Sequence, residues 1–238
     1  MVNLKTLVII PTYNEALNIT DVISRLRSAT EDVDILIVDD NSPDGTGDIA
    51  DSLADEKTFV LHRKEKGGLG PAYLAGFQWG YEAGYNQFIE MDADGSHQPE
   101  EISRLLDSGL ENDLVIGTRW MPGGAVMNWP LQRRLISKLG TKYASKTLGL
   151  KYRDLTSGYR RLSRSLIEDI FRSNITTLGY GFQIEIVRVA ARNHKLITEV
   201  PITFIERVAG NSKMSKKIVL EAWIKTTLWG FQRIVYRR

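Results

Sequence analysis

The sequence predicts an α/β fold with a mostly parallel central sheet and helices on both faces. Two observations predict it. Short unbroken apolar runs alternate with helix-period segments over residues 1–118, and polar clusters close the ends of four of those runs. A strand that is apolar throughout is buried on both sides, as in a parallel sheet covered by helices.

Leu7-Val8-Ile9-Ile10 reads as the first strand, ended by Pro11. Leu17, Val22, Ile23 and Leu26 then recur at roughly helical spacing. Ile35-Leu36-Ile37-Val38 is the second strand, followed by the turn-rich Asn41-Ser42-Pro43-Asp44-Gly45 and a helix over about 47–54. Phe59-Val60-Leu61 is the third strand, and Lys66-Gly67-Gly68-Leu69-Gly70 leads into a helix over about 71–83. Phe88-Ile89-Glu90-Met91 is the fourth, with a helix from 99 to about 110, and Leu114-Val115-Ile116 is the fifth. Met121-Pro122-Gly123-Gly124 is too short to tether a second domain. A helix over 131–148, an irregular stretch over 154–158, helices near 163–172 and 181–193, and a strand over about 196–204 complete the pattern. The expected organisation is one domain over 1–215 and an amphipathic basic helix over 216–238, part of the domain or appended to it.

The 238 residues are 42% hydrophobic, enough for a full core. Cysteine is absent, so disulfides and thiolate metal sites are excluded, and His62, His97 and His194 are too scattered for a histidine-rich zinc site. The chain opens directly into a strand with no leader visible, and no run of 18 apolar residues occurs. The net charge of +2 conceals a split: residues 1–118 hold 22 acids and 8 bases, and residues 119–238 hold 7 and 23. An acidic half can hold a metal ion; a basic half can hold phosphates, nucleic acid or an anionic membrane. The plainer alternative is that the two charges face each other across one domain.

Asp92-Ala93-Asp94 lies at the mouth of the fourth strand. Two carboxylates one residue apart raise each other's pKa. A hard divalent cation carrying a phosphorylated substrate resolves that cost. In open α/β sheets ligands bind beyond the carboxyl ends of the strands. Pro11-Thr12-Tyr13-Asn14-Glu15, Asp39-Asp40-Asn41-Ser42, residues 64–70 and residues 92–98 all fall at such ends, so one crevice should collect them. The glycine-rich segment matches neither the dinucleotide fingerprint nor a P-loop, and fits a flexible turn as well as a ligand contact. No Gly-x-Ser-x-Gly nucleophile motif is present. His97 can support the carboxylates or simply pack and cap its loop.

These residues resemble the family 2 glycosyltransferases of the GT-A fold, and more narrowly the polyprenol (dolichol) monophosphate mannose synthases. The resemblance rests on Ile10-Pro11-Thr12-Tyr13-Asn14-Glu15, Val38-Asp39-Asp40-Asn41-Ser42-Pro43-Asp44-Gly45-Thr46, Lys66-Gly67-Gly68-Leu69-Gly70, Met91-Asp92-Ala93-Asp94, Gly117-Thr118-Arg119, Asp154-Leu155-Thr156-Ser157-Gly158, Gly181-Phe182-Gln183-Ile184-Glu185, Glu206-Arg207 and Ser212-Lys213. It implies a metal-dependent, inverting transfer of mannose from GDP-mannose to a polyprenyl (dolichyl) phosphate. Pro11, Tyr13, Glu15, Val38, Asp40 and Ala93 would line the nucleotide pocket. Asp92 and Asp94 would bind the Mg²⁺ or Mn²⁺ that bridges the diphosphate. Arg207 and Lys213 would clamp the diphosphate from a loop containing Gly210. Arg119, Arg133 and Ser137 would hold the acceptor phosphate. Asp94, Arg119, Arg207 and Lys213 would thus act in the transfer itself. Some relatives carry a glutamine two residues after the second aspartate that helps the metal; Ser96 stands there in this chain.

The chemistry suits that division. A nucleoside diphosphate leaves only when its charge is neutralised, which a metal and one or two cations accomplish. A phosphate monoester has a second pKa near 6, so the acceptor is mostly dianionic and needs no general base. The protein's work is to position two anions that repel each other.

A polyprenyl acceptor requires contact with a bilayer. On a helical wheel Leu220, Trp223, Ile224, Leu228, Phe231, Ile234 and Val235 share one face and Lys225, Gln232, Arg233 and Arg237 the other, with Trp229 and Tyr236 interrupting the polar side. That pattern suits an interfacial helix, and equally a terminal helix packed through the same stripe. A peripheral location on the cytoplasmic face of a membrane is expected, either through this helix or through a separate anchoring subunit, with no nucleic-acid partner. The rival donor is UDP-glucose or another sugar nucleotide. A nucleotidyltransferase would need a triphosphate cradle that the 11–15 stretch lacks. A non-catalytic membrane- or nucleic-acid-binding protein would leave the carboxylates unexplained.

Overall fold

A computed structural model describes residues 4–173, 175–179, 181–207 and 216–235. β1 (Thr6–Thr12), β2 (Val33–Asp39), β3 (Thr58–His62) and β4 (Gln87–Glu90) form the parallel part of the sheet and alternate with α1 (Ile19–Ala29), α2 (Thr46–Ser52) and α3 (Leu69–Glu82). A 3₁₀ turn (Pro99–Glu101) and α4 (Ile102–Leu106) lead to β5 (Leu114–Thr118). β6 (Ala125–Met127), α5 (Leu131–Leu148), β7 (Arg160–Ser163), α6 (Arg164–Arg172), α7 (Gly181–Arg192), β8 (Ile197–Pro201), β9 (Thr203–Ile205) and α8 (Lys216–Val235) follow. The main sheet has seven strands in the order β3-β2-β1-β4-β7-β5-β8, and β6 pairs with β9 in a separate parallel ribbon. The expected single α/β domain with a mostly parallel sheet and helices on both faces is therefore the fold observed.

The alternation of side chains along each strand divides the core in two. Leu7, Ile9, Leu36, Val38 and Phe88 pack under α3, α6 and α7 on one face. Val8, Ile10, Ile35, Ile37 and Ile89 pack under α1, α2 and α4 on the other. Both faces are dry, which is why these strands read as continuous apolar runs.

Several boundaries differ from expectation for local reasons. β1 runs through Pro11 to Thr12, one residue past the proline that was expected to stop it. α1 begins at Ile19, leaving Leu17 exposed. The expected helix over 99–110 is a 3₁₀ turn followed by five α-helical residues, ending before Gly109, whose φ is +91°. The single strand expected over 196–204 is two strands in different sheets, divided at Ile202, which is fully buried.

β7 lies antiparallel between β4 and β5. Its Arg160 and Arg161 are both fully buried. Arg160 donates to Gln183 O (2.7 Å) and Leu155 O (2.8 Å), and Arg161 donates to Gly109 O (2.5 Å). A central strand can carry two arginines because loop and helix carbonyls receive their protons.

α8 packs against α5 and α7. The buried members are Thr226 and Trp229, with the Arg188 guanidinium over the Trp229 ring at 5.2 Å. A Cβ at Gly230 would run into Thr147 of α5, so glycine sets the close approach of the two helices. The helix thus docks through the side that Trp229 interrupts. The described residues of the predicted apolar stripe, Leu220, Trp223, Ile224, Leu228 and Phe231, remain exposed. That corrects the expectation that packing, if present, would use the stripe itself. Tyr236 and Arg237 lie outside the described residues.

Candidate active site

One cavity of ≈ 700 Å³ runs along the carboxyl ends of β1, β2 and β4 and continues between α5 and α8. It collects Pro11, Tyr13, Glu15, Asp40, Asp92, Ala93, Asp94, Arg119, Arg133, Ser137 and Arg207. Val38 is not among its lining residues. Its side chain is fully buried in the core, where it faces Gly76 of α3. Gly210, Ser212 and Lys213 lie outside the described residues.

At the strand end the acidic groups are already paired. Asp40 accepts from Arg63 Nη1 at 2.6 Å and from the Gly67 amide at 2.9 Å. The glycine-rich segment is therefore tied to β2 and borders the cavity, more than a flexible turn. Gly68 has a φ of +96°, and a Cβ there would press on Leu178 O at 2.9 Å, so no other residue fits well. Asp39 accepts from the Thr12 and Ser42 hydroxyls and locks the β1 and β2 loops together. The Lys66 ammonium sits 3.8 Å above the Tyr13 ring centroid, making a cationic lip beside an aromatic surface.

Asp92 and Asp94 differ in their surroundings. The Asp92 side chain is 32% exposed and that of Asp94 10%. Burial pushes the Asp92 carboxyl up, and the Asp94 charge adds to it. Burial opposes ionisation of Asp94 too, but the Arg207 guanidinium at 2.8 Å and a hydrogen bond from the Ser96 amide at 3.0 Å hold it below the usual range. His97 is fully buried, stacked on Tyr159 at 5.0 Å and edge-on to Phe204. Its Nδ1 accepts from the Asp92 amide at 3.0 Å. Burial lowers its pKa, although both aspartates oppose the shift. The neutral ring then carries its proton on Nε2, 3.8 Å from the Asp92 carboxylate. His97 packs its loop and fixes the Asp92 main chain through Nδ1, and its Nε2 makes no hydrogen bond among the described residues.

No third His, Cys, Asp or Glu groups with this pair among the described residues. Two hard carboxylate oxygens nonetheless fit Mg²⁺ or Mn²⁺, which commonly takes one or two carboxylates beside substrate phosphates. The Ser96 hydroxyl beside them is buried and lacks a hydrogen-bond partner among the described residues.

The helix end is cationic. Arg119 is buried and bidentate to Asp154, at 2.6 and 2.8 Å, and its Nη2 also reaches Thr156 at 3.0 Å. Arg133 pairs with Glu206 and stacks its guanidinium 4.2 Å from the Trp129 ring. Ser137 follows one turn later on α5. Motif inspection alone assigned no role to the partners that fix these groups: Arg63, Asp154, Glu206 and Trp129. It also passed over Glu90, fully buried behind the aspartates, whose carboxyl burial pushes up to about 7 against the pull of Arg160. A lone acid in an otherwise apolar strand was the signal.

The comparisons with known proteins agree with this geometry. The family model "Glycosyl transferase family 2" matches residues 7–171. An undecaprenyl-phosphate mannosyltransferase of Micrococcus luteus is 51% identical over 229 residues, 95% of this chain and 94% of that protein. A polyprenol monophosphomannose synthase of Mycolicibacterium smegmatis is 49% identical over 232 residues, 96% and 88% respectively. Among solved structures, glucosyl-3-phosphoglycerate synthase of Mycobacterium tuberculosis, in complex with Mn²⁺, UDP-glucose and phosphoglyceric acid, superposes with a TM-score of 0.68 at 19% identity, covering 95% of this chain and 79% of that one.

Proposed function

This chain belongs to glycosyl transferase family 2 and is a glycosyltransferase, and from that premise we propose that it moves mannose from GDP-mannose to a polyprenyl (dolichyl) phosphate with inversion. The observation that carries the proposal is the continuity of the cavity. A carboxylate pair at one end, suited to a metal and a diphosphate, opens into two arginines and a serine at the other, suited to an anionic acceptor. The names of the two relatives support mannose as the sugar and a polyprenyl phosphate as the acceptor.

In this mechanism Asp92 and Asp94 would hold Mg²⁺ or Mn²⁺ through carboxylate oxygens, and the ion would supply charge neutralisation for the leaving diphosphate. Tyr13, Glu15 and Asp40 border the nucleoside, with Lys66 and the Asp40-anchored glycines forming its rim. Arg207, already beside Asp94, would add positive charge on the diphosphate side, a role that Lys213 would share. Arg119 and Arg133 bind the acceptor phosphate, whose oxygen attacks the anomeric carbon opposite the leaving group. The acceptor dianion is its own nucleophile, so none of these residues must take a proton. Asp154 holds Arg119 rigid, which offsets the repulsion between the two substrates without reorganisation at the moment of transfer.

The acceptor's hydrocarbon chain leaves the cavity between α5 and α8. Leu131, Leu135, Ile136 and Leu139 on α5 and Leu220, Trp223, Ile224, Leu228 and Phe231 on α8 are 45–76% exposed. No helix among the described residues is long and apolar enough to cross a membrane. On this reading the two exposed apolar faces would rest in a membrane interface, on the cytoplasmic side, with or without an anchoring subunit.

Purified protein, a divalent cation, a polyprenyl phosphate and labelled GDP-mannose or UDP-glucose test the proposal. Label should enter the lipid fraction from GDP-mannose and not without the cation. Label from UDP-glucose alone would give the donor role to the rival, and label from neither would end the proposal.

A further inference from the structure

A second cleft, of ≈ 530 Å³, lies on the opposite side of α5 and shares no lining residue with the transfer cavity. Its rim carries Lys138, Lys142, Lys151 and Arg153. None of these four side chains forms an ion pair among the described residues, whereas Arg119 and Arg133 on the other side are both paired. Among the described residues no acid lines the cleft; Glu199 beside it accepts from the Arg153 amide at 2.7 Å and feels the Arg153 charge. The three lysines have no ion-pair partner among the described residues, and like charges gathered this way repel.

The floor also has unspent hydrogen-bonding capacity. Thr141 is 5% exposed and its hydroxyl has no partner. Trp120, whose ring lies 4.8 Å from the Lys138 ammonium, has an indole N–H without a partner. Buried polar groups are ordinarily satisfied, and two that line one basic cleft call for an acceptor.

The position of the cleft indicates its source of anions. Leu131, Leu135, Lys138, Lys142 and Ser145 follow the i+4, i+3 ridge of α5, so the exposed apolar end of the ridge becomes its basic end. A helix lying in a membrane interface places such a boundary at headgroup depth. We propose that this cleft binds the phosphate of an anionic phospholipid headgroup, apart from the acceptor site, and so sets how α5 and α8 sit on the bilayer. The proposal rests on the membrane reading above and adds a lipid that is not a substrate.

The test uses the full chain and two vesicle types, neutral phosphatidylcholine alone and the same lipid with phosphatidylglycerol. The wild type should bind the anionic vesicles more tightly. Lys142→Glu and Lys151→Glu should each reduce that preference by roughly fivefold or more. Lys146→Glu, on an exposed α5 lysine outside the cleft, should reduce it distinctly less. Thr141→Val should weaken anionic binding without altering neutral binding. Equal losses from Lys142→Glu and Lys146→Glu would mean diffuse attraction and overturn the site, as would no loss at all. Competition by free glycerol phosphate at the concentration that saturates the vesicle lipid would reassign the cleft to a soluble anion. Transfer to a short-chain, water-soluble polyprenyl phosphate should be unchanged in Lys142→Glu and Lys151→Glu. Failure of that transfer in the wild type would sink the mannosyltransferase reading, while the vesicle comparison would still decide the cleft.

Discussion

The two ends of the transfer cavity are built on different principles. At the strand end, Asp39, Asp40, Asp92 and Asp94 end or follow buried parallel strands; the carboxylates of Asp39, Asp40 and Asp94 are held by hydroxyls, backbone amides and guanidinium groups, and Asp92 is fixed through its own amide, which donates to His97 Nδ1. At the helix end, Arg133 and Ser137 ride on α5, one side of which is open and apolar, and only Arg119 is anchored in the core by a buried carboxylate. A small, rigid, charged donor requires fixed groups, and a strand terminus in a dry sheet supplies them. A long lipid requires a surface, and two amphipathic helices supply that. On the proposed function the difference separates a donor end built on strand termini from an acceptor end built on helices, and Arg207 beside Asp94 shows that the basic half also reaches the donor end.

The comparison breaks most sharply at the carboxylates. Asp94→Ala should reduce transfer by about 10³-fold or more, with an unchanged circular dichroism spectrum, because it removes charge neutralisation at the leaving group. Retained activity would remove Asp94 from the metal site. Next in size is the buried pair that stiffens the helix end. Asp154→Ala should destabilise the protein by about 3–5 kcal/mol in urea unfolding, since Arg119 would be left as an uncompensated buried charge. A smaller loss would mean that water enters behind Arg119.

α8 separates packing from docking. Trp229→Ala should cost about 3–5 kcal/mol of stability. Leu228→Ser with Phe231→Ser should leave unfolding nearly unchanged and weaken vesicle binding by about tenfold or more, judged from the apolar area each side chain would bury. Matched losses of stability from both variants would show that the outward stripe is covered in solution.

The same contrast governs what could be read before any coordinates. The strand end was legible nearly whole, because parallel strands are continuous apolar runs and their polar terminators converge. Val38 is the exception: adjacent to the polar cluster in sequence, it alternates inward and belongs to the core. β7 was hidden by Arg160 and Arg161, whose charges suggest a surface while carbonyls from distant loops satisfy them inside. On α8 the wheel grouped the apolar stripe but did not show which side packs, since Trp229, Thr226 and Gly230 form a narrow docking face that is not conspicuously apolar. Asp154, the buried counter-ion of Arg119, is 35 residues away in sequence, and no local pattern announces that pairing.

Separate binding of the two substrates tests the central claim most directly. The dissociation constant of GDP-mannose, measured by calorimetry with a divalent cation present, and the acceptor KM should respond independently to Arg133→Ala. The account predicts an acceptor KM raised about 10- to 100-fold, as expected for loss of hydrogen bonds to a charged group, with GDP-mannose affinity within about twofold of the wild type. A comparable loss of GDP-mannose affinity with an unchanged acceptor KM would contradict it, placing Arg133 at the donor and erasing the division between the two ends.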